Sequence, residues 1–130
     1  MDNNKVILLP LDGSQASRNA IIPAIGLASF RNRPIELLYV SDEKLSKEEL
    51  LDKLQLQEFE HINTIVVHKS GNVIETILEE SKHSKIIIMG THGETCNYEL
   101  MAGSVATNVM ELAEVPVLIV RPETKIKLKN

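Results

Sequence analysis

The chain has 130 residues and a formal net charge of −4, so it has the size of one domain with a real core. It lacks the basic footprint of a duplex nucleic-acid binder, and four aromatics (Phe30, Tyr39, Phe59, Tyr98) are too few for a base-stacking platform. No apolar stretch reaches membrane-span length, the first residues hold no apolar signal core, and Cys96 is the lone cysteine. A cytoplasmic protein that binds neither nucleic acid nor membrane is therefore expected.

Val6-Ile7-Leu8-Leu9 reads as a first strand, and the turn after it is Pro10-Leu11-Asp12-Gly13-Ser14. Gly13 suits a tight turn, and Asp12 or Ser14 can cap the helix that follows. That helix is expected over residues 15–29, with Ala16, Ala20, Ile21, Ala24, Leu27 and Ala28 on one stripe and a kink or weak spot from Pro23 and Gly26. Residues 35–40 form the second strand. Residues 45–61 have an acidic, helical period with Leu50, Leu51, Leu54 and Phe59 facing inward. Ile65-Val66-Val67 is the third strand, and Gly71-Asn72 opens a third helix marked by Val73, Ile74, Ile77 and Leu78.

Ile86-Ile87-Ile88-Met89 is an uninterrupted apolar run, the signature of a strand buried on both faces. Gly90-Thr91-His92-Gly93 follows directly, then nine residues, then Gly103-Ser104. Val105, Ala106, Val109, Leu112 and Ala113 continue at helical spacing, which makes Ser104 the expected N-cap. A strand, a glycine loop and a helix N-terminus together offer backbone N–H groups and a helix dipole to an anion. Val117-Leu118-Ile119-Val120 closes the pattern as a fifth strand.

Strands alternating with helices predict a single α/β domain: an open five-stranded parallel sheet with helices on both faces. A flavodoxin-like or half-Rossmann winding in the order 3-2-1-4-5 makes strands one and four neighbours at the topological switch point. The two glycine-bearing turns would then face each other across one crevice, suited to a phosphate-bearing ligand.

These residues resemble the universal stress protein family. The resemblance rests on the opening strand with Asp12-Gly13-Ser14, on Leu37-Leu38-Tyr39-Val40, on Gly71, on the glycine pattern from Gly90 to Ser104, and on Val115 to Arg121. It implies a domain over residues 1–122, followed by a short lysine-bearing tail over 123–130 that is expected to fray. It also implies an ATP-type site. Asp12 and Val40 would lie beside the adenosine, Asp12 also reaching a nucleotide-bound magnesium ion. Gly90, Gly93, Gly103, Ser104 and Val105 would wrap the ribose and phosphates, and Pro10, Ser14, Thr91 and His92 complete the expected nucleotide-binding set. The resemblance further implies a homodimer through Val117, Leu118, Ile119 and Val120, paired antiparallel across a two-fold axis.

Three positions depart from the family pattern: Glu94 and Cys96 stand where many members carry a basic and a small residue, and Lys85 replaces an aspartate common just before the fourth strand. The segment after Val40 is also shorter than usual for the family. From Ile86 to Val120 there is no lysine or arginine, so backbone amides, the helix dipole and magnesium would have to hold the anion. No nucleophile elbow, lysine-bearing phosphate loop or GxGxxG fingerprint is present, and no catalytic residue is assigned. His61, His68 and His83 show no metal-ligand spacing in sequence.

The leading expectation is a nucleotide-responsive regulator, with slow ATP hydrolysis at most incidental. Ligand would order the loop from Thr91 to Ala102 for a protein partner. The alternatives are a nucleotide-free dimeric interaction module with a relic glycine motif and, more weakly, a nucleotide-handling enzyme.

Overall fold

Alternation along the central strand decides how the helices are shared between the two faces of the sheet. In β1 (Val6–Leu11), Ile7, Leu9 and Leu11 enter one apolar cluster while Leu8 enters another. β2 (Ile35–Val40) repeats this with Ile35, Leu37 and Tyr39 on the first face and Leu38 and Val40 on the second. A computed structural model supplies this arrangement and describes residues 5–59, 62–90 and 103–121.

With β3 (Thr64–Lys69), β4 (Ser84–Gly90) and β5 (Val117–Val120), these strands form one parallel sheet in the order β3-β2-β1-β4-β5. The expected fold class and strand order are both observed. Right-handed crossovers then fix the helix layers. The two leftward steps, β1 to β2 and β2 to β3, place α2 (Ile21–Arg31) and α3 (Lys47–Lys53) on the first face. The two rightward steps place α4 (Val73–Glu80) and α5 (Gly103–Leu112) on the second. Ile7, Leu8, Leu9, Ile35, Leu37, Leu38, Ile87 and Ile88 are fully buried between them, each contributing about 1.5–3 kcal/mol of transfer free energy.

Three helix boundaries differ from the sequence expectation. The single helix expected over 15–29 is two: α1 (Gln15–Arg18) ends at Asn19, and α2 starts after Ala20. The break lies upstream of Pro23 because restarting at Ile21 puts the proline in the first turn, where its missing N–H costs no intrahelical bond. The acidic helix is only α3. It stops at Leu54, Gln55 adopts φ 55°, and a 3-10 turn over Gln57–Phe59 brings Leu56 and Phe59 into the core. α5 begins at Gly103, so Ser104 lies in the first turn rather than at the N-cap.

Candidate functional site

The crevice is written in the register of the two central strands. β1 and β4 pair through Val6↔Ser84, Ile7↔Ile86 and Leu8↔Ile87, and the ladder then stops. β1 continues to Leu11 and β4 to Gly90 beyond that point, while Gly90 pairs outward with Val120 of β5. The carboxyl ends of β1 and β4 are therefore released from one another at the switch point, where open α/β sheets bind ligands.

On one lip of this opening is the turn after β1. Gly13 takes φ 86°, which L side chains rarely adopt. The Asp12 carboxylate accepts a 2.9 Å bond from the Ser14 N–H, closing an Asx turn, and the Asp12 N–H donates to Ser17 Oγ at 3.3 Å. Ser14, not Asp12, is the helix cap: its Oγ accepts from the Ser17 N–H at 3.1 Å. Pro10 sits one residue before the strand end, half-buried and in register with Leu38.

On the other lip, β4 ends in Gly90 and α5 starts at Gly103. Val40 at the end of β2, Met89 at the end of β4 and Val105 in the first turn of α5 join one apolar cluster on the second face. The fold thus brings Val40 and Val105, 65 positions apart, to one cluster beside Gly90. Thr91, His92 and Gly93, together with Glu94 and Cys96, lie outside the described residues, as does the loop they begin.

Beyond the expected set, the carboxyl end of β2 carries a polar relay. The Tyr39 hydroxyl donates to Glu43 Oε1 at 2.8 Å, and Lys53 Nζ from the end of α3 meets Glu43 Oε2 at 3.2 Å. The Tyr39 hydroxyl and Lys53 hold the Glu43 carboxyl below its ordinary range, whereas burial first and Glu43 second push the Tyr39 phenol up. The His68 ring tilts over Tyr39 with centroids 5.3 Å apart, and its Nε2 lies 2.9 Å from Ser41 Oγ. Tyr39 and Glu43 are four positions apart but lie at a strand end and in the loop after it, not on one helix, so sequence patterning did not single out Glu43 or Lys53.

With this geometry in place, comparison with known proteins settles the family. The universal stress protein family model matches residues 42–121, more than half of the chain.

The chain belongs to the universal stress protein family.

A universal stress protein of Methanocaldococcus jannaschii is 29% identical over 145 residues, covering 93% of this chain and 84% of the relative. A universal stress protein of Mycolicibacterium smegmatis is 27% identical over 139 residues, and the chain spans only 47% of its length. Among solved structures, another universal stress protein of Methanocaldococcus jannaschii is 28% identical with a TM-score of 0.73, covering 95% of this chain and 99% of that one. A universal stress protein crystallised with cAMP shares the fold at a TM-score of 0.70 and 18% identity, covering 93% of this chain and 99% of that one.

Proposed function

We propose that this universal stress domain binds an adenine nucleotide, ATP with magnesium, in the crevice between β1 and β4 and acts as a nucleotide-responsive regulator rather than a dedicated enzyme. One observation carries the reading. The β1–β4 ladder ends at Leu8↔Ile87, short of the strand ends at Leu11 and Gly90, which supports a crevice between the turn from Asp12 to Ser14 and Gly90. Val40, Met89 and Val105 offer an apolar wall for the base. Glycine-permitted close approach and the dipole of α5 suit the phosphates, and Asp12 stands at the lip where a nucleotide-bound magnesium ion would sit. The cAMP complex belongs to a fold relative, and it makes adenine nucleotides the ligand class to test first.

A different observation favours a second reading. The sequence from Ile86 to Val120 carries no lysine or arginine, and Glu94 adds negative charge to the glycine segment. On that reading the motif is a relic and the domain is a nucleotide-free interaction module.

Thermal unfolding with and without magnesium and ATP, AMP or cAMP decides between them, with Gly103→Val as the control. A ligand at a hundred times its dissociation constant stabilises by about 2.7 kcal/mol, which raises the midpoint by several degrees for a domain of this size. A shift abolished in Gly103→Val supports the nucleotide site. No shift at millimolar nucleotide supports the interaction module.

A further inference from the structure

Glu36 interrupts the apolar sequence of β2 and is almost completely buried, its side chain 5% exposed on the face covered by α4. An ionised carboxylate in such a place needs donors on both oxygens. Glu36 Oε1 lies 3.0 Å from His83 Nε2, but Oε2 is sealed from solvent with no hydrogen-bond partner among the described residues. Instead of a donor, a second buried carboxyl, that of Glu80, stands within hydrogen-bonding reach of Glu36. His83 Nε2 is also 3.9 Å from Glu80 Oε1. Two carboxyls and an imidazole thus converge on one point, and Glu36 Oε2 meets there only a second carboxyl, a pairing that needs either a shared proton or a cation between them.

We propose that Glu36, Glu80 and His83 form a binding site for a divalent transition-metal ion of the zinc class. One candidate ligand atom from each residue falls within 4.8 Å of the others. Tetrahedral zinc with bonds of about 2.0–2.1 Å sets neighbouring ligand atoms about 3.3 Å apart, and the observed 3.0 and 3.9 Å bracket that value. The Glu36 and Glu80 ligand atoms lie within 4.8 Å of each other, so closing on an ion draws the two carboxylates together.

The donor set, one imidazole nitrogen with carboxylate oxygens, suits zinc and its neighbours in the first transition row. Glu80 and His83 are three residues apart across the end of α4 and the 3-10 turn Ser81–His83 that follows. Lys69 Nζ holds Glu80 Oε2 at 2.8 Å, the outer hydrogen bond that typically orients a ligating carboxylate. The His83 side chain is 53% exposed, which gives an ion a path from solvent and leaves a coordination position for water. Bound there, the ion would tie β2 to the end of α4. The site is separate from the crevice, which lies at the carboxyl ends of the strands, whereas Glu36 is the second residue of β2.

The test is titration of the full chain with Zn²⁺ by calorimetry and with Co²⁺ by visible absorption. Both use a Cys96→Ser background so that the thiol contributes nothing. Glu36→Gln keeps the shape of the buried side chain, and His83→Ala alters a half-exposed one, so both variants should fold. The expected result is saturable binding of one ion by about 100 μM, intense Co²⁺ bands of tetrahedral type, and at least tenfold weaker binding in each variant. Binding unchanged in both variants, or none at that concentration, overturns the proposal and leaves the Glu36–Glu80 pair bridged by a proton.

Discussion

Two glycines of similar sequence appearance do opposite things. Gly13 holds φ 86° in the turn after β1, and a Cβ there would meet only Leu54 Cδ2, at an ordinary 3.9 Å. Any cost of Gly13→Ala is therefore backbone strain rather than collision, about 1–2 kcal/mol of lost stability. Gly26 sits inside α2 with no left-handed φ, and a methyl group added there would meet nothing within 4 Å. Gly26→Ala should stabilise by about 0.5–1 kcal/mol by removing unfolded-chain freedom. Urea denaturation of the two variants beside the parent checks the pair, and shifts of the same sign would refute the assignment. The distinction was legible from sequence, where Gly13 read as a tight-turn residue and Gly26 as a weak spot inside a helix. The backbone angle gives the physical reason that the first is required and the second only tolerated.

At the scale of elements, legibility followed burial only in part. β1 and the end of β4 were visible as apolar runs because they are covered on both faces, whereas β2 was visible despite Glu36 and β5 although it is a half-exposed edge strand. Helix ends were less visible because short-range chemistry sets them. The restart at Ile21 answers to Pro23, and the stop of α3 answers to the left-handed Gln55. Ser46 caps α3 through a full capping box: its Oγ accepts from the Glu49 N–H at 3.1 Å, while Glu49 Oε1 accepts from the Ser46 N–H at 2.8 Å. Of the site, the turn Asp12 to Ser14 and Gly90 were readable as motifs. Glu43, Lys53 and the cluster around Glu36 were not, although a glutamate inside Ile35-Glu36-Leu37-Leu38 was itself a signal that a buried partner must exist.

The α3 capping box carries a pH dependence of definite sign. The bond from the Ser46 backbone N–H holds the exposed Glu49 carboxyl below its ordinary value. A depressed carboxyl contributes stability that is complete above its unfolded value, near 4.5, and lost as pH falls through its lower folded value. Glu49→Gln keeps an acceptor for the Ser46 N–H but cannot titrate. Between about pH 5 and pH 3 the parent should lose more stability than Glu49→Gln in urea midpoints taken at each pH. Parallel curves would show that the box does not depend on ionisation.

For the whole molecule the open question is what covers the sheet edges. Among the described residues the order β3-β2-β1-β4-β5 leaves two, and they differ in chemistry. β3 ends in His68 and Lys69, a charged termination of the kind that discourages strand addition. β5 is Val117-Leu118-Ile119-Val120, with no charge and no proline, and Leu118 is 43% exposed. Its paired side is taken by β4 through Ile87↔Val117 to Gly90↔Val120, which turns its remaining backbone groups outward. An apolar edge of this kind is a template for another strand, and a second copy of β5 running antiparallel satisfies it with a closed two-fold assembly rather than an open filament. We therefore expect a homodimer at micromolar concentration in light scattering after size exclusion. Leu118→Lys should give a monomer that still folds, because a side chain this exposed adds little to the protomer core, with a thermal midpoint lowered only by the lost association. A monomeric parent, or a Leu118→Lys variant that remains dimeric, would place the contact elsewhere and leave β5 covered by something other than its own copy.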